Sequence, residues 1–148
     1  TDSEIDKNTN RPQTKGNEVP YTPQFTANIG GEFVEPNVLM GADLLIRFDY
    51  NITGSTWFST VQEGDLTPNL FTAWGFGRSD QTLAERESFG IVNARIGLQT
   101  DTWGMHAFVR NLLDENYLEE VIPAPEFGGA FIHPGNLRAW GLEASYRF

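Results

Sequence analysis

Apolar and polar residues alternate with a period of two over five stretches of the chain. In "LRAWGLEASYRF", Leu142, Ala144, Tyr146 and Phe148 fall on one side and Gly141, Glu143, Ser145 and Arg147 on the other. That is the signature of a strand with a single apolar face. "QFTANIGGEFVE" sets Phe25, Ala27, Ile29, Gly31 and Phe33 against Thr26, Asn28, Gly30 and Glu32. "DLLIRFDYNITGSTWF" sets Leu44, Ile46, Phe48, Tyr50 and Ile52 against Arg47, Asp49, Asn51 and Thr53. "FGIVNARIGLQT" opposes Val92, Ala94, Ile96 and Leu98 to Asn93, Arg95 and Gln99. "WGMHAFVRNL" opposes Met105, Ala107 and Val109 to His106, Phe108 and Arg110.

The connections between these strands alternate in length. Residues 1–20 are polar and read as a loop; "PNVLMGA" turns the chain near Pro36; residues 59–87 form a long connection; "DT" is a tight turn at Asp101; residues 113–137 are long again. An antiparallel meander with tight turns at one end and elaborated loops at the other has this rhythm, as outer-membrane barrels do. On the apolar faces as phased above no charged residue occurs, whereas the opposite faces carry Glu32, Arg47, Asp49, Arg95, Arg110, Glu143 and Arg147. Phe33, Trp103, Tyr146 and Phe148 lie toward the short-turn end and Phe58 and Trp140 toward the loop end, the places of two interfacial aromatic girdles. A soluble sandwich or lipocalin-like barrel fits the alternation as well.

Composition narrows the classes. The 148 residues fit one domain, and twenty acids against ten bases give a net charge of -10. Such a chain lacks the basic surface that a nucleic-acid partner needs. There is no cysteine for a disulfide or a thiolate metal site. No stretch approaches the ~20 apolar residues of a membrane helix, but barrel strands escape that criterion. Five strands are too few to close, since bacterial barrels start at about eight. Two open edges of ~10 residues each would leave on the order of 20 backbone groups unpaired in hydrocarbon, at ~2 kcal/mol or more apiece. A membrane sheet of this size is therefore an arc of a larger barrel or assembles with other chains.

Three segments carry a resemblance. "VNARIGLQTDTWGMHAFVRNLLDENY" resembles the penultimate hairpin of TonB-dependent outer-membrane receptors, with Asn111, Leu112, Asp114 and Tyr117 on the family's Asn-Leu-Phe-Asp-x-x-Tyr segment and Leu113 in place of its Phe. "GNEVPYTPQFTANIGGEF" resembles the entry to an earlier strand through Asn17, Pro20, Thr22, Pro23, Asn28 and Gly30. "LRAWGLEASYRF" resembles the final strand with its terminal aromatic. The resemblance spans nearly all of residues 1–148. It implies an all-β antiparallel transmembrane meander, about the last five strands of a 22-stranded barrel, with the plug domain and earlier strands outside these residues. Loops 1–20, 59–87 and 113–137 would be extracellular and the turns near Pro36 and Asp101 periplasmic.

The same resemblance implies the function: import across the bacterial outer membrane of a scarce ligand, most often an iron-siderophore complex, otherwise cobalamin or a glycan. The partners it implies are outer-membrane lipid, the remaining strands and plug, TonB, and the barrel-assembly machinery, which reads Tyr146 and Phe148. Phe71, Trp74, Phe76, Arg78, Phe131 and His133 on the long loops are candidate ligand contacts, being aromatic and cationic groups suited to a flat anionic or chelated molecule. Arg47, Asp49, Arg95, Arg110 and Glu143 would line the lumen, as transport-path groups or as ion pairs. Asn111 and Asp114 fit an Asx-type turn. No nucleophile with a base beside it, no cofactor fingerprint and no metal-ligand spacing around His106 or His133 occurs, so neither an enzyme nor a cofactor protein is expected. A soluble ligand-binding β-module, and a fragment with no activity of its own, are the alternatives.

Overall fold

A computed structural model describes residues 3–62, 74–75, 82–124, 127 and 129–148. Regular structure among them is strand with two short 3-10 turns, Pro12–Thr14 and Thr82–Ala84. The strands are β1 (Thr26–Leu39), β2 (Ala42–Thr53), β3 (Thr56–Trp57), β4 (Glu85–Arg86), β5 (Phe89–Gln99), β6 (Trp103–Arg110), β7 (Leu118–Ala124), β8 (Gly129–Pro134) and β9 (Ala139–Tyr146). The protein is all-β with antiparallel sheets. It divides into two compact units. One comprises Ala27–Ile52, Gly90–Glu115 and Asn136–Phe148; the other comprises Thr1–Thr26, Thr53–Phe89 and Asn116–Gly135.

The first unit is a five-stranded sheet in the order β1-β2-β5-β6-β9. Its members are the five strands that alternation predicts, each beside its predecessor among them, as in a meander. β1 and β9 end the order, so among the described residues the sheet is open and closes into no barrel. Register fixes the faces. Ala94 pairs with Val109, Ile96 with Ala107 and Leu98 with Met105; Trp103 pairs with Tyr146, Met105 with Ala144, Ala107 with Leu142 and Val109 with Trp140. Residues directly opposite in an antiparallel pair share a face, so one apolar surface crosses β5, β6 and β9. It continues onto β2, where Ile46 lines one depression with Ala94, Ile96, Ala107 and Val109. It reaches β1, where a Cβ on Gly31 would meet the Phe48 ring.

Among the described residues, the side chains of that surface remain open. Ile29, Phe33, Phe48, Ile96, Met105, Trp140, Leu142 and Tyr146 are all exposed, Trp140 and Leu142 each to 80%. Ala42 is the buried apolar residue of this unit. Burying an aliphatic or aromatic side chain is worth ~1.5–3 kcal/mol, so covering such a face gains on the order of 10 kcal/mol, the size of a domain's whole stability.

Two turns close within the sheet. β1 runs through Pro36 to Leu39, which narrows the turn expected over 36–42 to the end of that stretch; proline is tolerated because β1 is an edge strand. The reversal falls on Met40 and Gly41, with φ of 50° and 78°, the left-handed pair that a two-residue type I′ hairpin requires. Between β5 and β6, the Thr100 hydroxyl accepts from the backbone N–H groups of Thr102 (3.2 Å) and Trp103 (3.0 Å), while Thr100 N–H donates to Trp103 O at 2.8 Å.

The second unit collects the long connections, and here the expectations need correction. The alternation read through Gly54 to Phe58 as one strand breaks after Thr53; β3 pairs with β4 in a separate sheet, Thr56 opposite Arg86 and Trp57 opposite Glu85. Phe58, expected in an interfacial girdle, is buried, and with Trp57, Val61, Ala84, Val121 and Ala124 it forms a core. Residues 113–137, expected as a loop, contain the β7–β8 hairpin, with Val121 opposite Ile132 and Ile122 opposite Phe131. The amino-terminal stretch is tied in by Gln62, whose Nε2 donates to Glu18 O (2.7 Å) and whose Oε1 accepts from Glu18 N (2.9 Å). That amide imitates a strand neighbour. Tyr21 N–H bonds Trp57 O at 2.8 Å, and its ring meets Phe58 edge-on at 5.3 Å.

Candidate functional site

Because side chains alternate across a strand, the charged positions of β2, β5, β6 and β9 fall on the face opposite the apolar one, whereas on β1 Glu35 keeps the phase of Ile29 and Phe33. Arg47, Asp49, Arg95, Arg110 and Glu143 share that opposite face, joined by Asn93 and Phe108 around one open groove of ≈ 400 Å³. Arg47 holds Asp49 in a fork, Nε to Oδ2 and Nη2 to Oδ1 both at 3.1 Å, and lies 3.9 Å from Glu32. Arg95 donates to Glu143 at 3.2 Å. These groups are substantially exposed, so each pair is worth at most ~1 kcal/mol as a stabiliser. His106 lies opposite Glu143 and Gly97; it is 6% exposed and its Nδ1 has no partner among the described residues.

Where β6 ends, Asn111 is 3% exposed and left-handed, with φ of 52°. Its Oδ1 accepts from Glu115 N (2.8 Å), and its Nδ2 donates to the carbonyls of Glu115 (2.9 Å) and Asn136 (3.0 Å). Its N–H reaches Asn93 Oδ1 at 3.1 Å. Asp114 pairs with Arg138 at 3.5 Å and accepts from Arg138 N. Asn111 thus holds the turn with its side chain, but through the N–H four residues on instead of the two-residue step of the expected Asx-type turn, while Asp114 ties the turn to Arg138.

In the other unit, Arg86 is the node that sequence reading missed. Its guanidinium lies 5.4 Å from the Phe58 ring centroid and 4.9 Å from that of Phe89. It donates to Thr56 Oγ1 (2.9 Å) and to the carbonyls of Leu118 and Glu119 (both 3.4 Å), tying β3 and β4 to β7. Burial pushes its pKa down from the ordinary value, with Tyr117 acting in the opposite sense; an arginine nonetheless stays charged in a protein. The only sequence signal was a cation between aromatic-rich segments. Phe89 and Tyr117 stack at 4.2 Å with planes 9° apart. A Cβ on Gly135 would run into the Tyr117 ring, which cannot withdraw past Phe89. Gly135→Ala should therefore destabilise this unit by ~1–3 kcal/mol, read as a lowered urea midpoint.

The loop candidates divide. Phe71, Phe76 and Arg78 lie outside the described residues. Trp74 is exposed, as are Phe131 and His133 on one face of β8, opposite Ile122 and Glu120. Tyr146 and Phe148 are exposed, Tyr146 on the apolar face of the sheet. Among the described residues no group of three or more His, Asp or Glu is placed to hold a metal ion. No described helix is long and apolar enough to cross a membrane.

The class these observations define is an all-β protein whose open meander has one apolar and one charged face, accompanied by a unit built from its long connections. Comparison with protein-family models gives no match, and comparison with solved structures gives none either.

Proposed function

We propose that this chain is an arc of an outer-membrane β-barrel, the carboxy-terminal part of a TonB-dependent receptor whose parent imports a scarce ligand, foremost an iron-siderophore complex. The observation that carries the reading is the uncovered apolar face running across all five strands of the sheet. A soluble protein buries such a face against a second layer; lipid covers it without one. The open edges at β1 and β9 then pair with further strands of the barrel, because unpaired backbone is not tolerated in hydrocarbon. On this reading the charged face lines the lumen against the plug, the Met40–Gly41 and Thr100–Thr102 turns are periplasmic, and the unit of long connections is extracellular. Trp74, Phe131 and His133, with Phe71, Phe76 and Arg78, are its candidate ligand contacts. Energy coupling through TonB belongs to the parent.

The test is the state of the chain with and without detergent, followed by sedimentation and circular dichroism. Expected is a β-rich, monodisperse particle only in micelles, with association or precipitation when detergent is removed. A β-rich monomer stable in plain buffer would overturn the proposal in favour of a soluble β-module.

A further inference from the structure

The charged face of the sheet is itself divided. On β1 and β2 it carries Glu32, Asp43 and Asp49 against Arg47. On β5, β6 and β9 and just beyond, it carries Arg95, Arg110 and Arg147 against Glu143. The second half is basic in a chain whose net charge is -10.

The groove at the junction of the halves presents donors whose acceptors are missing. Asp49 is taken up by Arg47 and Glu143 by Arg95. Arg110 has no carboxylate or hydrogen-bonded partner among the described residues; its guanidinium lies 5.6 Å from the Phe108 ring centroid. Phe108 in turn lies over Gly141, where a Cβ would come within 2.7 Å of the ring. Glycine thus lets the ring lie flat, and the ring gives the guanidinium a platform. Asn93 spends its Oδ1 on the Asn111 N–H, which leaves its amide donors on the groove wall. A guanidinium fork, a primary amide and the remaining Arg95 donors form the complement of an oxyanion, and ≈ 400 Å³ is the size of a small-molecule site.

We infer that the groove formed by Asn93, Arg95, Phe108 and Arg110 is an oxyanion-binding site that takes a carboxylate- or phosphate-bearing small molecule. The inference goes beyond the reading above and does not depend on what covers the apolar face. The full chain, folded in non-ionic detergent at low ionic strength, is titrated calorimetrically with citrate and, separately, with inorganic phosphate. Saturable binding of at least one is expected, and whichever binds more tightly names the anion class. Losing a charge-assisted bond in Arg110→Gln should weaken binding about tenfold or more. Arg138→Gln, whose arginine pairs with Asp114 away from the groove, should leave it unchanged. Glu143→Gln frees the Arg95 donors and should tighten binding severalfold, a gain that no folding defect imitates. Absence of saturable binding by the unaltered chain, an Arg110→Gln titration that overlays it, or weaker binding by Glu143→Gln each overturns the site.

Discussion

Leu142→Arg should destabilise the micelle-folded chain by about 2–4 kcal/mol, the cost of a charge on the lipid face of a barrel strand near mid-membrane. Leu142 is mid-strand in β9 and opposite Ala107, which is itself opposite Ile96, so no neighbour on that row offers a counter-charge. Ser145→Arg, on the other face beside Gly104, should cost no more than ~0.5 kcal/mol. The pair of urea titrations separates three situations. If the apolar face simply stood in water, both variants would be near neutral, because Leu142 is 80% exposed. If a soluble core covered it, Leu142→Arg would be damaging with or without detergent. Damage in the micelle-folded form of a chain that has no folded monomer in plain buffer, with Ser145→Arg tolerated, is the outcome that a lipid-facing sheet requires.

Much of the sheet was legible because period-two alternation and register are one constraint viewed twice. Once Ala94, Ile96 and Leu98 share a face, a one-residue slip against β6 would put charge among them, so the observed pairing with Val109, Ala107 and Met105 is the one the pattern permits. Alternation does not say which sheet a strand joins. The strand read on through Gly54 to Phe58 stops at Thr53, and Trp57 and Phe58 turn into a separate core. The turn expected over 36–42 starts only at Met40, because an edge strand has a free side on which the donor that Pro36 lacks costs nothing. The β7–β8 hairpin was hidden by Pro123 and by its brevity.

The candidate site was legible in part for the same reason. Arg47, Asp49, Arg95, Arg110 and Glu143 fell on one face by counting, whereas their pairing depended on register between strands far apart in sequence: Arg95 meets Glu143 across β6, and Arg110 meets neither acid. Arg86 was illegible because its partners are backbone carbonyls and ring faces, which leave no complementary charge in the sequence to search for.

Asn111→Leu should be the most damaging single change at the end of β6, lowering stability by ~3–5 kcal/mol. Three side-chain hydrogen bonds are lost, at ~0.5–1.5 kcal/mol each with more where a buried group is left unpaired. A left-handed φ of 52° adds ~1 kcal/mol for a residue that cannot bond locally to its own backbone. Two companions separate these contributions. Asn111→Gly keeps the φ and loses the bonds, so it should recover about 1 kcal/mol relative to Leu. Asn111→Asp keeps the acceptor for the Glu115 N–H but turns a carboxylate oxygen toward the carbonyls of Glu115 and Asn136, which want a donor; it should be no better than Gly. Urea unfolding gives the order, and amide exchange at Glu115 checks its origin, since that proton stays protected in Asn111→Asp and is released in Leu and Gly. Full stability in Asn111→Asp would mean that the two donated bonds contribute little and that the turn is held by Oδ1 alone.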